Sequence, residues 1–153
     1  AKAPTPPAIV IGDGRLQMQA SSDSYDLIVI DAFNSDAIPV HLLTQESLSE
    51  VFLPHLANDG VIAYHITNTF LDLEPILDRL AKQFNLSALT RSVPSDTTEQ
   101  HAQSANQWVV ISHNHQLLAQ LQTQGWQPLK PGNMLWTDDF SSVRAAMRQA
   151  KPT

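Results

Sequence analysis

Three short apolar runs in this chain each end on a polar, chemically useful side chain: Ala8 to Gly12 stops at Asp13, Leu27 to Ile30 at Asp31, and Val61 to Tyr64 at His65. Continuous aliphatic runs bounded by turn residues read as strands of a parallel sheet covered on both faces. In an open α/β sheet, ligands bind beyond the carboxyl ends of the strands, so residues stationed at the strand tips face a ligand rather than the core. Two carboxylates and an imidazole are therefore expected along one crevice.

The segments between the runs carry helical signals. Gly12-Asp13-Gly14 is a sharp turn, and Arg15 to about Ala20 follows as a brief helix. Thr44 offers an N-cap for a helix running towards Leu56, which Pro54 kinks or shortens. Leu73, Ile76, Leu77, Leu80, Ala81 and Phe84 recur at helical spacing. Leu86 to Arg91 and Gln107 to Ser112 are two further strands with no convincing helix between them, expected to pair antiparallel at the far edge of the sheet. Asn114 to about Gln124 and Ser141 to Gln149 complete the expected helices. The polar stretch from Pro94 to Asn106 has no periodicity and reads as a loop.

At 153 residues, 42% hydrophobic and 16% charged, the chain has the balance of one globular domain. A net charge of -6 with nine scattered basic residues argues against duplex nucleic acid, whose phosphates need clustered Lys and Arg. The acidic balance is compatible with a small cationic substrate. With no cysteine, disulfides, thiolate catalysis and Cys-based zinc sites are excluded together. No apolar run approaches the roughly 20 residues of a membrane span, so a soluble, cytoplasmic piece without membrane contact is expected. Residues 1–7 form a Pro-rich lead or linker, and 8–150 the folded unit. No initiator Met opens it, so an upstream segment is expected to be missing.

Among polar residues, Asp13 between two glycines is placed either to accept from an exocyclic amine or to cap the helix after it. Asp31, after four aliphatics, is brought to the crevice by the sheet itself. Asp36 lies five residues on, and paired acids at that distance bind an ammonium group and accept its proton. A metal ion is the weaker reading, since hard cations want several oxygen ligands. His65 either bonds to a substrate or is a satisfied structural residue, and the six histidines show no zinc spacing. Asp138 and Asp139, after Trp136, read chiefly as caps of the last helix. No nucleophile elbow, P-loop or dinucleotide fingerprint occurs.

Taken in order, Ile11-Gly12-Asp13-Gly14-Arg15, Tyr25-Asp26-Leu27-Ile28-Val29-Ile30-Asp31, Asp36-Ala37-Ile38-Pro39 and Asp59-Gly60-Val61 resemble the second half of spermidine synthases, most of all the bacterial spermidine synthase-like proteins, some of which are fused to membrane segments. The closing Leu135-Trp136-Thr137-Asp138-Asp139 is similar to the end of those proteins. The resemblance implies a partial Rossmann-like sheet of the S-adenosylmethionine methyltransferase type, mostly parallel with an antiparallel edge hairpin, helices on both faces, and the first strands of the full fold absent. It implies transfer of an aminopropyl group from decarboxylated S-adenosylmethionine to an amine such as putrescine, without a metal. Asp13 and Gly14 would contact the adenine, Asp31 would deprotonate the amine, and Asp36 and His65 would bind it. His65 stands where such enzymes often carry an amide, which leaves the amine open.

The family's glycine-rich first strand turn and ribose-binding acid lie upstream of anything present, so the isolated chain is expected to be inactive. Without those strands, the first apolar run must pair elsewhere, swap between chains or stay loose, and a bare strand edge favours a homodimer. A methyltransferase-like domain and a non-catalytic assembly module on the same scaffold are the alternatives.

Overall fold

The computed structural model describes residues 7–32, 39–68, 70–95 and 105–147. Five strands form one open, mixed sheet flanked by helices. In chain order these are α1 (Gly14–Gln19), β1 (Tyr25–Ile30), a 3-10 turn (Val40–Leu42), a π-helical segment (Ser47–Phe52), β2 (Leu56–His65), α2 (Glu74–Gln83), β3 (Ser87–Val93), β4 (Asn106–Ser112), α3 (His115–Thr123), β5 (Gln127–Pro128) and a final 3-10 turn (Val143–Ala146). The strand order is β1-β2-β4-β3-β5.

Only β1 and β2 pair in parallel; β2–β4, β3–β4 and β3–β5 are antiparallel. The expectation of a mostly parallel sheet is thus corrected to a mixed one. β3 and β4 do form the expected antiparallel pair, but its second strand turns inward to lie against β2. A strand that returns from a hairpin without a crossover helix can only join β2 running the opposite way.

The Ala8–Ile11 run, expected as a strand, forms no strand and pairs with none of the described strands, with Ile9 and Ile11 85% and 87% exposed. A lone strand has no partner for its backbone groups and no face to bury. β1 is consequently an edge strand. Its Ile28 and Ile30 are buried, whereas Leu27 and Val29 are 56% and 52% exposed. One face of β1 is covered where the sequence suggested two.

The larger core lies on that covered face. Ile28, Ile30, Ile62, Tyr64, Val109 and Ile111 from the sheet pack with Leu48, Val51 and Phe52 of the π-helical segment, Leu77 and Leu80 of α2, and Trp136 from the tail. Across the sheet, Ala63, Leu89 and Val110 meet Leu118 of α3, with Trp108 and Trp126 at the margin. Helices therefore stand on both faces, but the second layer stops short of β1.

Local chemistry explains most helix ends. Asp13 and Asn114 cap α1 and α3 by accepting from the N–H groups of Leu16 and Leu117. The Thr44 hydroxyl accepts from the Ser47 N–H at 3.2 Å, as a cap should. The helix it starts widens after one turn, with Leu53 N–H donating five residues back to the Leu48 carbonyl, and stops before Pro54. β2 then begins at Leu56, five residues earlier than Val61. The expected terminal helix is the 3-10 turn Val143–Ala146, held by a bridge between Leu71 and Met147.

Candidate functional site

The tips of the parallel pair put Asp31 and His65 side by side. β1 and β2 are in register with Ile30 opposite Tyr64, so the next residues, Asp31 and His65, emerge on the same face of the sheet. His65 Nδ1 lies 2.7 Å from Asp31 Oδ1, and Thr67 Oγ1 lies 2.8 Å from His65 Nε2. The Thr67 oxygen also accepts the backbone N–H of Gln107 at 2.8 Å. The hydroxyl thus sits between the Gln107 N–H and His65 Nε2, and of the ring's tautomers the one protonated on Nδ1 would donate to Asp31 and accept from Thr67. Trp108, paired with His65 across β2 and β4, stacks on the ring at 4.6 Å between centroids and 17° between planes.

Exposure falls along this chain of bonds. The Asp31 side chain is 62% exposed and that of His65 24%, so one carboxylate oxygen is bonded and the group still faces solvent. On one side Asp31 borders a largely apolar cavity of ≈ 190 Å³ with Gly14, Met18, Val29, Leu42 and Phe52. On the other side of His65, Thr67 borders a cavity of ≈ 400 Å³ with Asn68, Ser92, Val93, Asn106 and Gln107.

The residues proposed from the sequence are divided between these places. Gly14 and Asp31 share the apolar cavity, and His65 is Asp31's direct partner. Asp13 instead caps α1 with one oxygen and faces His41 Nε2 at 3.3 Å with the other. The Leu16 N–H, aided by His41, holds its carboxyl below the ordinary value of 3.8. Asp13 borders a neighbouring cavity of ≈ 390 Å³ together with Arg15, His41 and Asp138. Asp36 lies outside the described residues.

Asp138 does not cap a helix. It receives both ends of the Arg15 guanidinium at 2.7 Å and the Thr44 hydroxyl at 2.7 Å, while its N–H donates to Glu46 at 2.8 Å. Arg15 holds the Asp138 carboxyl below its ordinary value, with Thr44 adding to the effect, and the pair raises Arg15 in turn. The tail is thereby tied to α1, the element that places Gly14. Sequence reading missed this tie, since residues 123 positions apart carry no local signal. It also passed over Thr67 and Trp108. A signal for Thr67 existed, because i and i+2 on a strand share a face and Thr67 follows His65 by two.

No family model and no curated protein matches the chain. Among the described residues no group of three or more His, Cys, Asp or Glu is arranged to hold a metal ion. Nor does any described helix have the length and apolarity to cross a membrane.

Proposed function

We propose that this chain carries the amine-accepting half of an alkyl-transfer site of the spermidine synthase type, with Asp31 as the base and His65 as its orienting partner. The observation that carries the reading is the Asp31 carboxylate itself: a strand-tip acid, held through one oxygen by the His65 imidazole, with the side chain still 62% exposed beside an apolar cavity. Such a group binds an ammonium ion, accepts its proton and leaves a nucleophilic amine in place. In the intact reaction the amine nitrogen forms a bond to the aminopropyl carbon beside the sulfonium, the carbon–sulfur bond breaks, and a neutral thioether departs. The protein's part is positioning and proton acceptance.

The cavity supports the first half of that site and not the whole. Its ≈ 190 Å³ is below the roughly 300–1,000 Å³ of sites that enclose drug-sized ligands. A diamine fits; an adenosyl sulfonium together with it does not. Asp13, engaged as a cap, offers the adenine only what remains of its carboxylate. The chain alone therefore binds an amine without turning it over, and decarboxylated S-adenosylmethionine remains the expected co-substrate of a complete site.

Amide NMR spectra during a titration with putrescine test this. Shifts are expected at Asp31, Ala32 and His65 and are lost in Asp31→Asn. Equal shifts in both proteins would remove Asp31 from the site. Calorimetry that showed preference for S-adenosylmethionine, whose carboxylate Asp31 should repel, would favour methyl transfer on the same scaffold.

A further inference from the structure

The bonds around His65 run in a direction that amine binding does not use. His65 lies 2.7 Å from Asp31 through Nδ1 and 2.8 Å from the Thr67 hydroxyl through Nε2, and the tautomer protonated on Nδ1 would turn its Nε2 lone pair to that hydroxyl. An acid on one ring nitrogen and a hydroxyl on the other is the connectivity by which imidazole activates an oxygen nucleophile, on folds that share nothing else. Trp108 holds the ring by stacking, and the Gln107 N–H at 2.8 Å from Oγ1 holds that oxygen in place beside the ring.

We propose that Thr67 is an activated nucleophile, with His65 as its base and Asp31 as the residue that positions the base. The substrate would be a small, uncharged activated ester. The cavity of ≈ 400 Å³ beside Thr67 is large enough for one, and its lining of Asn68, Ser92, Val93, Pro94, Asn106 and Gln107 is largely apolar in surface and, among the described residues, carries no charged side chain. This inference shares the Asp31–His65 bond with the amine reading but uses the cavity at its other end, beside Thr67.

The step balances within the site. Thr67 Oγ bonds to the carbonyl carbon while its proton passes to His65 Nε2, leaving an imidazolium opposite the Asp31 carboxylate. The acyl–oxygen bond of the ester then breaks, and the departing oxygen takes the proton back from Nε2. An acyl-Thr67 ester and a free alcohol or phenol result. Water, activated by the same nitrogen, releases the acid and restores the hydroxyl.

p-Nitrophenyl acetate is a suitable probe of the folded chain. Expected is a burst of p-nitrophenolate, with one acetyl group found by mass spectrometry on the peptide containing Thr67. Thr67→Ser should keep the burst. Thr67→Val, which preserves shape, should abolish it, and His65→Gln should slow it about 10²-fold, the low end of a general base's contribution. Circular dichroism melts establish that each variant folds. Acetyl found on a lysine or on an imidazole, a burst that survives in Thr67→Val, or no burst from a folded wild type would each overturn the proposal. None of these results depends on putrescine binding, so the two readings fail separately.

Discussion

Removing the Asp138 carboxylate should loosen the molecule at one identifiable joint. Asp138 ties the C-terminal tail to Arg15 at the head of α1 and to Thr44 at the start of the π-helical segment. A bidentate, charge-assisted pair contributes about 1.5–3 kcal/mol when desolvated. The Arg15 side chain is only 14% exposed, but that of Asp138 is 42%, and screening at such a site brings the ion pair down to about 1 kcal/mol. The bond from the buried Thr44 hydroxyl adds about 1 kcal/mol. Asp138→Ala should therefore cost about 2 kcal/mol, which for a domain of this size lowers the melting temperature by about 4–8 °C.

Circular dichroism melts of Asp138→Ala, Arg15→Ala and the double variant isolate the pair. A coupling of about 1 kcal/mol between positions 15 and 138 is expected. The pH dependence has a definite sign. Because folding lowers the Asp138 carboxyl below its ordinary 3.8, its contribution is complete above that value and disappears as pH falls through the lower, folded-state value. Asp138→Asn and wild type should therefore converge in acid. Additive single and double losses, or a difference that persists undiminished in acid, would refute the tether.

Three further outcomes can be checked. The His55 ring nitrogens lie 2.6 Å from the Val51 carbonyl and 3.0 Å from that of Ser21, two acceptors that only the doubly protonated ring satisfies; chiefly through Ser21, then Val51, its pKa rises above 6.5, so melting temperature should fall as pH rises from about 6 to about 8, and this dependence should vanish in His55→Gln. A Cβ at Gly132 would lie 1.6 Å from the Pro75 carbonyl oxygen; Gly132→Ala should cost about 1–3 kcal/mol or more by denaturant unfolding, as overpacking does. The bare edge and face of β1, with Leu27 and Val29 exposed, should drive self-association visible by sedimentation, and Val29→Lys should shift the chain towards monomer without lowering its melting temperature.

What could be read from the sequence, and what could not, divides along the range of the interactions. Asp31 and His65 were legible because a run of aliphatics fixes where a strand ends, and strand ends are where a sheet presents polar groups. α2 was legible from its spacing, and Thr44 from capping chemistry. The failures are all non-local. Ile9 and Ile11 have the composition of a strand, but strand formation needs a neighbour, and none of the described strands adjoins them. The side on which β4 joins the sheet depends on β2 having a free edge, which no window of β4 residues encodes. Asp138 was misread because a short acidic pair before a helix suggests a cap, while the guanidinium that claims it lies at the other end of the chain.

The position of β4 also makes the polar cluster at the strand tips depend on two separate strand pairings. β2 is hydrogen-bonded on both sides, and one of its partners follows it by more than forty residues. The β3–β4 pair joins strands closer in sequence than β2 and β4 are, and β4 must lie against β2 for the cluster to be complete. Without β4 in place, His65 lacks the Trp108 ring that stacks on it, and Thr67 lacks its bond from the Gln107 N–H. The polar cluster at the strand tips is complete only when the two halves of the chain have met. Hydrogen exchange at Gln107 would report that meeting, and the chemistry at Thr67 would appear and vanish with it.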